Sequence, residues 1–136
     1  MKIKYTIEEE LDPIEFTDVL IESGLGKRRP IEEFDIIYGM CTNADIIVTA
    51  RDNEGTLIGV ARSITDWHYC TYLSDLAVHK KYQHQGIGKK LIEETKKVVP
   101  EANLILLSAP AAVEYYPKIG MTAAPGFILK DSNALK

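Results

Sequence analysis

Three patterns follow one another directly in the middle of the chain, at residues 69–99: a strand-like run, a glycine turn and an amphipathic run. In the strand-like run the apolar positions are odd-numbered at Leu73 but even-numbered from Leu76 onward. Because side chains alternate between the two faces of a strand, such a change of phase requires one extra residue. The change falls across Ser74 and Asp75, so the sequence predicts a β-bulge there.

The amphipathic run is predicted to be a helix that begins next to Gly86 and Gly88. Its apolar face is formed by Ile87, Leu91, Ile92, Val98 and Val99. Glycines let backbone N–H groups approach a ligand closely, and a helix N-terminus offers unpaired donors, so a phosphate or pyrophosphate would fit. The glycine spacing matches neither the P-loop nor the dinucleotide-binding fingerprint. From the glycines alone, a simple strand-to-helix turn is an equally good interpretation.

The remaining patterns predict a mixed α/β (α+β) fold in a single domain, residues 1–136. The predicted strands lie at 2–8, 46–51, 56–62, 69–79, 103–108 and 127–129, and the predicted helices at 13–23, 31–40, 87–99 and 111–118. Asp12 and Pro13 are typical of a helix start, and residues 52–55 form a hairpin turn. The run 103–108 is almost entirely apolar, as in a strand buried on both faces.

Composition narrows the classes of partner. The chain has a formal net charge of −4 and a pI near 5.4, and its longest basic run is Lys27-Arg28-Arg29, which argues against nucleic-acid binding. Cys41 and Cys70 fit neither a metal-ligand spacing nor a disulfide scaffold. With neither a secretory leader nor a membrane span indicated, we expect a cytoplasmic protein that uses no metal.

The residues Gln83-x-x-Gly86-x-Gly88, placed after a bulged strand, resemble the pyrophosphate loop of the GNAT N-acetyltransferase superfamily. Leu76-Ala77-Val78 resembles the end of that family's bulged fourth strand, and the segment 113–121 resembles its A-x-x-F-Y-x-x-x-G-F segment. The resemblance implies the GNAT fold, which is a mixed central sheet with helices on both faces. It also implies transfer of an acetyl group from acetyl-CoA to a primary amine.

The same resemblance implies a set of acetyl-CoA-binding residues. They are Leu76, Ala77, Val78, Gln83, His84, Gln85, Gly86, Ile87, Gly88 and Lys89. Backbone groups of Leu76 and Val78 would pair with the pantetheine arm, and amides from His84 through Lys89 would hold the pyrophosphate.

Tyr116 stands at the position of the tyrosine that protonates the leaving thiolate in many members. The alternative is that Tyr116 and its neighbour Tyr115 are both core aromatics, and we expect Tyr115 to be the packed ring. Tyr72 stands where some members have a glutamate as general base, so that base is missing. Asp75 is then a candidate base, although strand alternation places its side chain opposite Leu76. A structural or solvated carboxylate is the alternative for Asp75.

The acceptor is less constrained. Trp67, Tyr69 and Tyr72 precede or begin the bulged strand and favour a small-molecule amine, although core packing is the common role of such a tryptophan. We expect His68 at the surface, and Arg28 and Arg29 in a solvated loop or against the phosphates of the ligand. The alternatives are acetylation of a protein N-terminus or lysine, and a non-catalytic acyl-CoA sensor. A homodimer is left open.

Overall fold

Five strands form one mixed sheet in the order β1-β2-β3-β4-β5. The computed structural model describes residues 2–136, which divide into two compact units that meet between Leu106 and Leu107. The first unit contains the sheet: β1 (Lys4–Ile7), α1 (Pro13–Ser23), α2 (Phe34–Thr42), β2 (Ile46–Arg51), β3 (Leu57–Thr65), β4 (Cys70–Val78), α3 (Ile87–Val98) and β5 (Asn103–Ile105). Neighbouring strands are antiparallel except β4 and β5, which are parallel.

The first helix begins and ends as its sequence predicts. Asp12 accepts a hydrogen bond from the Ile14 N–H, Pro13 occupies the first helical position, and Gly24 closes the helix with a left-handed φ of +90°. The second helix is shifted from its prediction at 31–40 to Phe34–Thr42. The predicted loop after Gly24 contains a 3-10 helix, Leu25–Arg28.

Helices cover both faces of the sheet. On one face, α1 and α2 pack Phe16, Leu20 and Ile37 against Val60 and Ala77. On the other face, α3 packs Ile87 and Leu91 against strand residues that include Ala61 and Leu73.

Gly59 of β3 makes the close approach of α3 possible. A Cβ at this position would lie 3.2 Å from Leu91 Cδ1 and 3.3 Å from Ile87 Cγ2.

The predicted bulge in β4 is confirmed. Arg62 of β3 pairs with Asp75, and Ser63 pairs with Leu73, so Ser74 is the extra residue without a partner in the ladder. The bulge changes the phase of the strand. Leu73 and Leu76 therefore both belong to the core cluster beneath α3 although they are three positions apart.

The prediction for residues 103–108 was wrong in length and burial. Only Asn103–Ile105 forms a strand, and Ile105 is 50% exposed. The reason is its place at the edge of the sheet, where it pairs with three residues of β4 and has no second neighbouring strand among residues 2–136.

The second unit, Leu107–Lys136, contains little regular structure. The helix predicted at 111–118 is divided into a 3-10 helix, Pro110–Ala112, and a single helical turn, α4 (Tyr115–Lys118), and a further 3-10 turn covers Ser132–Ala134. Residues 127–129 form no strand, and Phe127 is 94% exposed. The segment is apolar, as a strand would be, but a strand also requires a partner with which to pair.

Candidate active site

One edge of β4 is open over most of its length. β4 pairs with β5 only from Cys70 to Tyr72, and beyond Tyr72 no strand in the described range 2–136 lies on that side. On the other side, the His79 N–H donates to the Ile58 carbonyl at 2.8 Å. Because antiparallel pairs alternate, the backbone groups of Val78 and Leu76 then point away from β3 and toward the open edge.

Gln83 fixes the loop that follows this edge. Its side-chain amide donates to the Val78 carbonyl at 2.8 Å and lies 3.4 Å from the Ser23 carbonyl at the end of α1. Lys80–Tyr82 form a 3-10 turn between strand and loop. Gln83 therefore uses its amide nitrogen within the protein, where it holds the loop against the end of β4.

The loop ends at an uncapped helix N-terminus. His84 and Gly86 both have left-handed backbone conformations, with φ of 65° and 83°, and no side chain caps α3. The first hydrogen bond into the helix runs from the Lys90 N–H to the Gly86 carbonyl, which leaves the N–H groups of residues 87–89 without intrahelical partners. Three aligned donors at the positive end of a helix dipole are suited to binding an anion.

The side chains around this terminus are arranged to leave the backbone accessible. The side chain of Ile87, the first residue of α3, is buried between the helix and the sheet, so only the Ile87 backbone faces the loop. A Cβ on Gly86 would meet no atom within 4 Å, and one on Gly88 would lie 3.9 Å from Val78 Cγ2. Gln85 and His84 are exposed.

The local charge is positive. Lys90 pairs with Glu94 at 3.1 Å, whereas Lys80, Lys81 and Lys89 have no salt-bridge partner within residues 2–136. Lys80 and Lys81 lie in the 3-10 turn before the loop and Lys89 lies in the first turn of α3, so this segment of an acidic protein carries positive charge that favours an anion.

Asp75 does not lie free at the edge. Its side chain lies on the α1/α2 face together with Ala77, opposite Leu76 as predicted, and it is completely buried. One carboxylate oxygen accepts from Arg29 Nε, and the other accepts from Arg62 Nε at 2.5 Å. With both oxygens engaged and no exposure to solvent, this geometry favours the structural interpretation of Asp75 over that of a general base.

Arg29 corrects another expectation. The sequence predicts it in a solvated loop or against the phosphates of the ligand, yet its guanidinium reaches the buried carboxylate of a residue 46 positions away. Sequence reasoning missed this contact. The available signal was Arg62, a charged residue in a strand whose other residues are almost all buried. A buried arginine requires a carboxylate partner.

The two tyrosines of the second unit form an edge-to-face pair, with ring centroids 5.3 Å apart. Tyr116 is half-buried, and this burial raises the pKa of its phenol above 10.0, with a smaller contribution from Tyr115. Tyr115 is 38% exposed, so it is not the packed ring that we expected.

The aromatic side chains at the β3–β4 turn are exposed rather than packed. Trp67 has a positive φ of 68° and is 50% exposed, and Tyr69 and His68 are also exposed. Asp66 organises the turn by accepting hydrogen bonds from the N–H groups of residues 68–70, which lowers the pKa of its carboxyl to about 2. The predicted surface position of His68 is confirmed.

The acetyltransferase (GNAT) family model matches residues 9–121, which is most of the chain and includes the open strand, the loop and α3. The chain belongs to the GNAT acetyltransferase family. Members of this family generally use acetyl-CoA. Within residues 2–136, no cluster of His, Cys, Asp and Glu side chains could hold a metal ion, and no helix is long and apolar enough to cross a membrane.

Two curated relatives differ in how much of the chain they match. An uncharacterized N-acetyltransferase of Pyropia yezoensis is 22% identical over 137 residues, covering 88% of this chain and 79% of the relative. A histone acetyltransferase of Glycine max is 35% identical over 77 residues, covering 54% of this chain and 33% of the relative. The chain thus spans about a third of the length of the second relative.

Two solved structures share the GNAT fold. A GNAT family acetyltransferase from Streptococcus pneumoniae superposes with a TM-score of 0.80 at 20% identity, covering 96% of this chain and 99% of that one. An aminoglycoside acetyltransferase from an uncultured soil metagenomic sample, in complex with sisomicin, gives a TM-score of 0.68 at 20% identity and covers 93% of both chains.

Proposed function

We propose that the protein transfers an acetyl group from acetyl-CoA to the primary amine of a small molecule. The observation that carries this proposal is the open edge of β4 at Leu76 and Val78, which leads to the uncapped N-terminus of α3. An extended arm with amide groups can bond to a strand edge as a further strand would, and a pyrophosphate fits the helix terminus. Acetyl-CoA contains both groups in that order.

Different groups of the chain would bind different parts of acetyl-CoA. The backbone of Leu76 and Val78 holds the pantetheine arm, and the N–H groups of residues 84–89 hold the pyrophosphate. Gln83 contributes indirectly by fixing the loop to β4. The ammonium group of Lys89, which makes no salt bridge within residues 2–136, adds positive charge.

The proposed transfer is direct and takes place in a ternary complex. The lone pair of the amine attacks the thioester carbonyl carbon, a carbon–nitrogen bond forms, and the carbon–sulfur bond then breaks. A backbone N–H near the bulge at Ser74 stabilises the oxyanion. The amine loses one proton, and the departing thiolate gains one.

Tyr116 is proposed as the donor of the second proton, on the strength of its position in the GNAT-like segment 113–121. A phenol and a thiol have similar pKa values, so the transfer costs little free energy. Burial raises the pKa of the Tyr116 phenol, so this group is protonated and able to donate at neutral pH.

The first proton has no evident carboxylate acceptor. Tyr72 occupies the position of the glutamate found in some members, and both oxygens of Asp75 are engaged by arginines. We propose that the enzyme binds the neutral amine, or that water carries the proton away.

The acceptor is the least constrained part of the proposal. The exposed rings of Trp67, Tyr69 and Tyr72 offer stacking and cation–π surfaces, each worth about 0.5–2 kcal/mol, to a flat or cationic amine. The structural likeness to an aminoglycoside acetyltransferase also supports a small amine. The local likeness to a histone acetyltransferase supports a protein lysine as the alternative.

The test is an acceptor screen with acetyl-CoA, in which free CoA is separated and measured by chromatography. Chromatography is preferred to a thiol reagent because Cys70 is partly exposed and would react, whereas burial raises the pKa of Cys41 to about 11 and protects it. The panel contains tryptamine, spermidine, an aminoglycoside, a peptide with a free N-terminus and a lysine peptide.

Preferred turnover of a small amine would support the proposal. Preferred turnover of either peptide would replace it with protein acetylation. Tight binding of acetyl-CoA without turnover of any amine would favour the acyl-CoA sensor, an alternative supported by the missing glutamate. The location is part of the same proposal: the unpaired Cys41 and Cys70 suit a reducing compartment such as the cytoplasm.

A further inference from the structure

Asp75 is held by arginines from two different parts of the chain. Arg62 lies next to it on β3, and Arg29 comes from the loop between α1 and α2. The side chains of Asp75 and Arg62 are 0% and 7% exposed, and that of Arg29 is 23% exposed. We name these three residues, together with Ser74, the bulge clamp.

Both guanidinium groups also bind the extra residue of the bulge. Arg29 Nη2 donates to the Ser74 carbonyl at 2.8 Å, and Arg62 Nη2 donates to Ser74 Oγ at 2.9 Å. Arg62 Nη1 lies 3.3 Å from the Met40 carbonyl of α2. A bulged residue lacks ladder hydrogen bonds, and in the bulge clamp side chains supply the missing partners.

Within residues 2–136 the neighbouring strands pair with the residues on either side of Ser74 but leave Ser74 itself without a ladder partner. β4 has lost its β5 neighbour before the bulge begins, because their pairing ends at Tyr72. On the β3 side, the register shifts between Arg62 and Ser63 at the same level. Within residues 2–136 the ladder pairs Asp75 with Arg62 but gives Ser74 no partner, so the direction of the backbone at Ser74 depends on the bulge clamp.

We propose that Arg29 is a positioning residue for acetyl transfer. Through Asp75 and Ser74 it fixes the bulge, and so it fixes the direction of the Leu76 backbone groups to which the thioester end of the cosubstrate would be presented. This inference rests on the proposed function. It assigns to the loop after α1 a role in the rate of the reaction that is separate from pyrophosphate binding at α3.

The test compares Arg29→Met with Lys27→Met, which removes a positive charge from an exposed position in the same loop. We expect Arg29→Met to lower kcat at least tenfold, while the Kd for CoA measured by calorimetry stays within threefold. Lys27→Met should leave both unchanged. All rates are measured at a temperature at which circular dichroism shows a fully folded protein.

Arg29→Lys distinguishes the effect of the positive charge of Arg29 from the effect of its planar hydrogen-bonding geometry. It is also expected to fold if Arg29→Met does not. Lysine retains the positive charge beside Asp75, but its single ammonium group lacks the planar fork that reaches both Asp75 and the Ser74 carbonyl. We expect Arg29→Lys to recover the melting temperature and to keep a kcat at least fivefold below wild type. Full recovery of kcat, or an Arg29→Met rate within twofold of wild type, would overturn the proposal.

A readout without turnover separates this inference from the proposed function. By alternation, the Asp75 N–H faces β3, so a bulge that has lost its clamp should exchange this amide hydrogen at least tenfold faster, while the Ala77 amide remains protected. Unchanged exchange at Asp75 in Arg29→Lys and Arg29→Met would reject the clamp. Absence of turnover in the wild-type protein would reject the proposed function alone.

Discussion

Gly55 and Gly86 have the same left-handed φ of +83°, and a Cβ at either position would meet no atom within 4 Å. Gly55 lies in the β2–β3 turn, whereas Gly86 precedes α3. An alanine at either position therefore carries a similar free-energy cost for the left-handed backbone. The two positions differ in the element they adjoin, since only Gly86 lies next to α3. They form a matched pair for testing the anion site.

Gly86→Ala should weaken acetyl-CoA binding at least tenfold, because it strains the left-handed backbone that leads into the unpaired N–H groups of α3 and adds a side chain next to them. Gly55→Ala should leave the affinity unchanged. Both should lower the free energy of unfolding by about 1–2 kcal/mol, the cost of a left-handed backbone for alanine. Calorimetric titration and urea unfolding measure the two effects. Equal affinity in both variants would remove the pyrophosphate interpretation of the loop.

Tyr116→Phe should lower kcat by a factor of about 10²–10⁴, the usual contribution of a general acid, with little change in acetyl-CoA affinity. The neighbouring Tyr115→Phe is the control, and it should retain a kcat near wild type. If Tyr115→Phe is the crippled variant, the acid has been assigned one residue too late in the chain.

The pH dependence of kcat/KM should rise toward the pKa of the free amine. Burial raises the pKa of the Tyr116 phenol above 10.0, so the proposed proton donor stays protonated and should produce no falling limb below about pH 10. A plateau already reached near pH 6.5 would reveal an unrecognised base. A falling limb between pH 8 and 9 would show that Tyr116 is not the donor.

Gly59→Ala should destabilise the fold by about 1–3 kcal/mol, the usual cost of overpacking, because its Cβ would press on Ile87 and Leu91 of α3. Gly39→Ala, in α2, should instead stabilise by about 0.5–1 kcal/mol, since its Cβ has room and alanine favours a helix. Urea midpoints of the two variants should therefore move in opposite directions. A shift of both in the same direction would contradict the packing assigned to Gly59.

The sequence predicts much of the fold because the relevant signals are local. Asp12 and Gly24 lie at the ends of the helix they delimit, and the bulge at Ser74 changes the phase of the residues beside it. The features that escaped prediction depend on partners distant in sequence. The run after Asn103 is apolar whether or not another strand covers it, and residues 127–129 resemble a strand without having a neighbour to pair with.

In the candidate site, too, the features with local sequence signals were predicted and those that depend on distant residues were not. The glycine spacing indicated the loop before α3, and the structure brings Gln83, Gly86 and the end of β4 together. The environment of Asp75 could not be predicted, because one arginine lies 13 residues before it and the other 46. A carboxylate next to a proposed reaction centre therefore looked available in the sequence when its oxygens were already engaged.

The unpaired edge of β4 should also make the protein prone to self-association when no ligand is bound. Strand edges with free N–H and C=O groups are templates for pairing with another chain, and beyond Tyr72 this edge lies well inside the sheet rather than at a charged, blunted margin. A bound cosubstrate would occupy the edge and block that self-association. Added CoA should therefore reduce aggregation of the purified protein on heating. At a concentration one hundred times its Kd, CoA should also add about 2.7 kcal/mol to the free energy of unfolding.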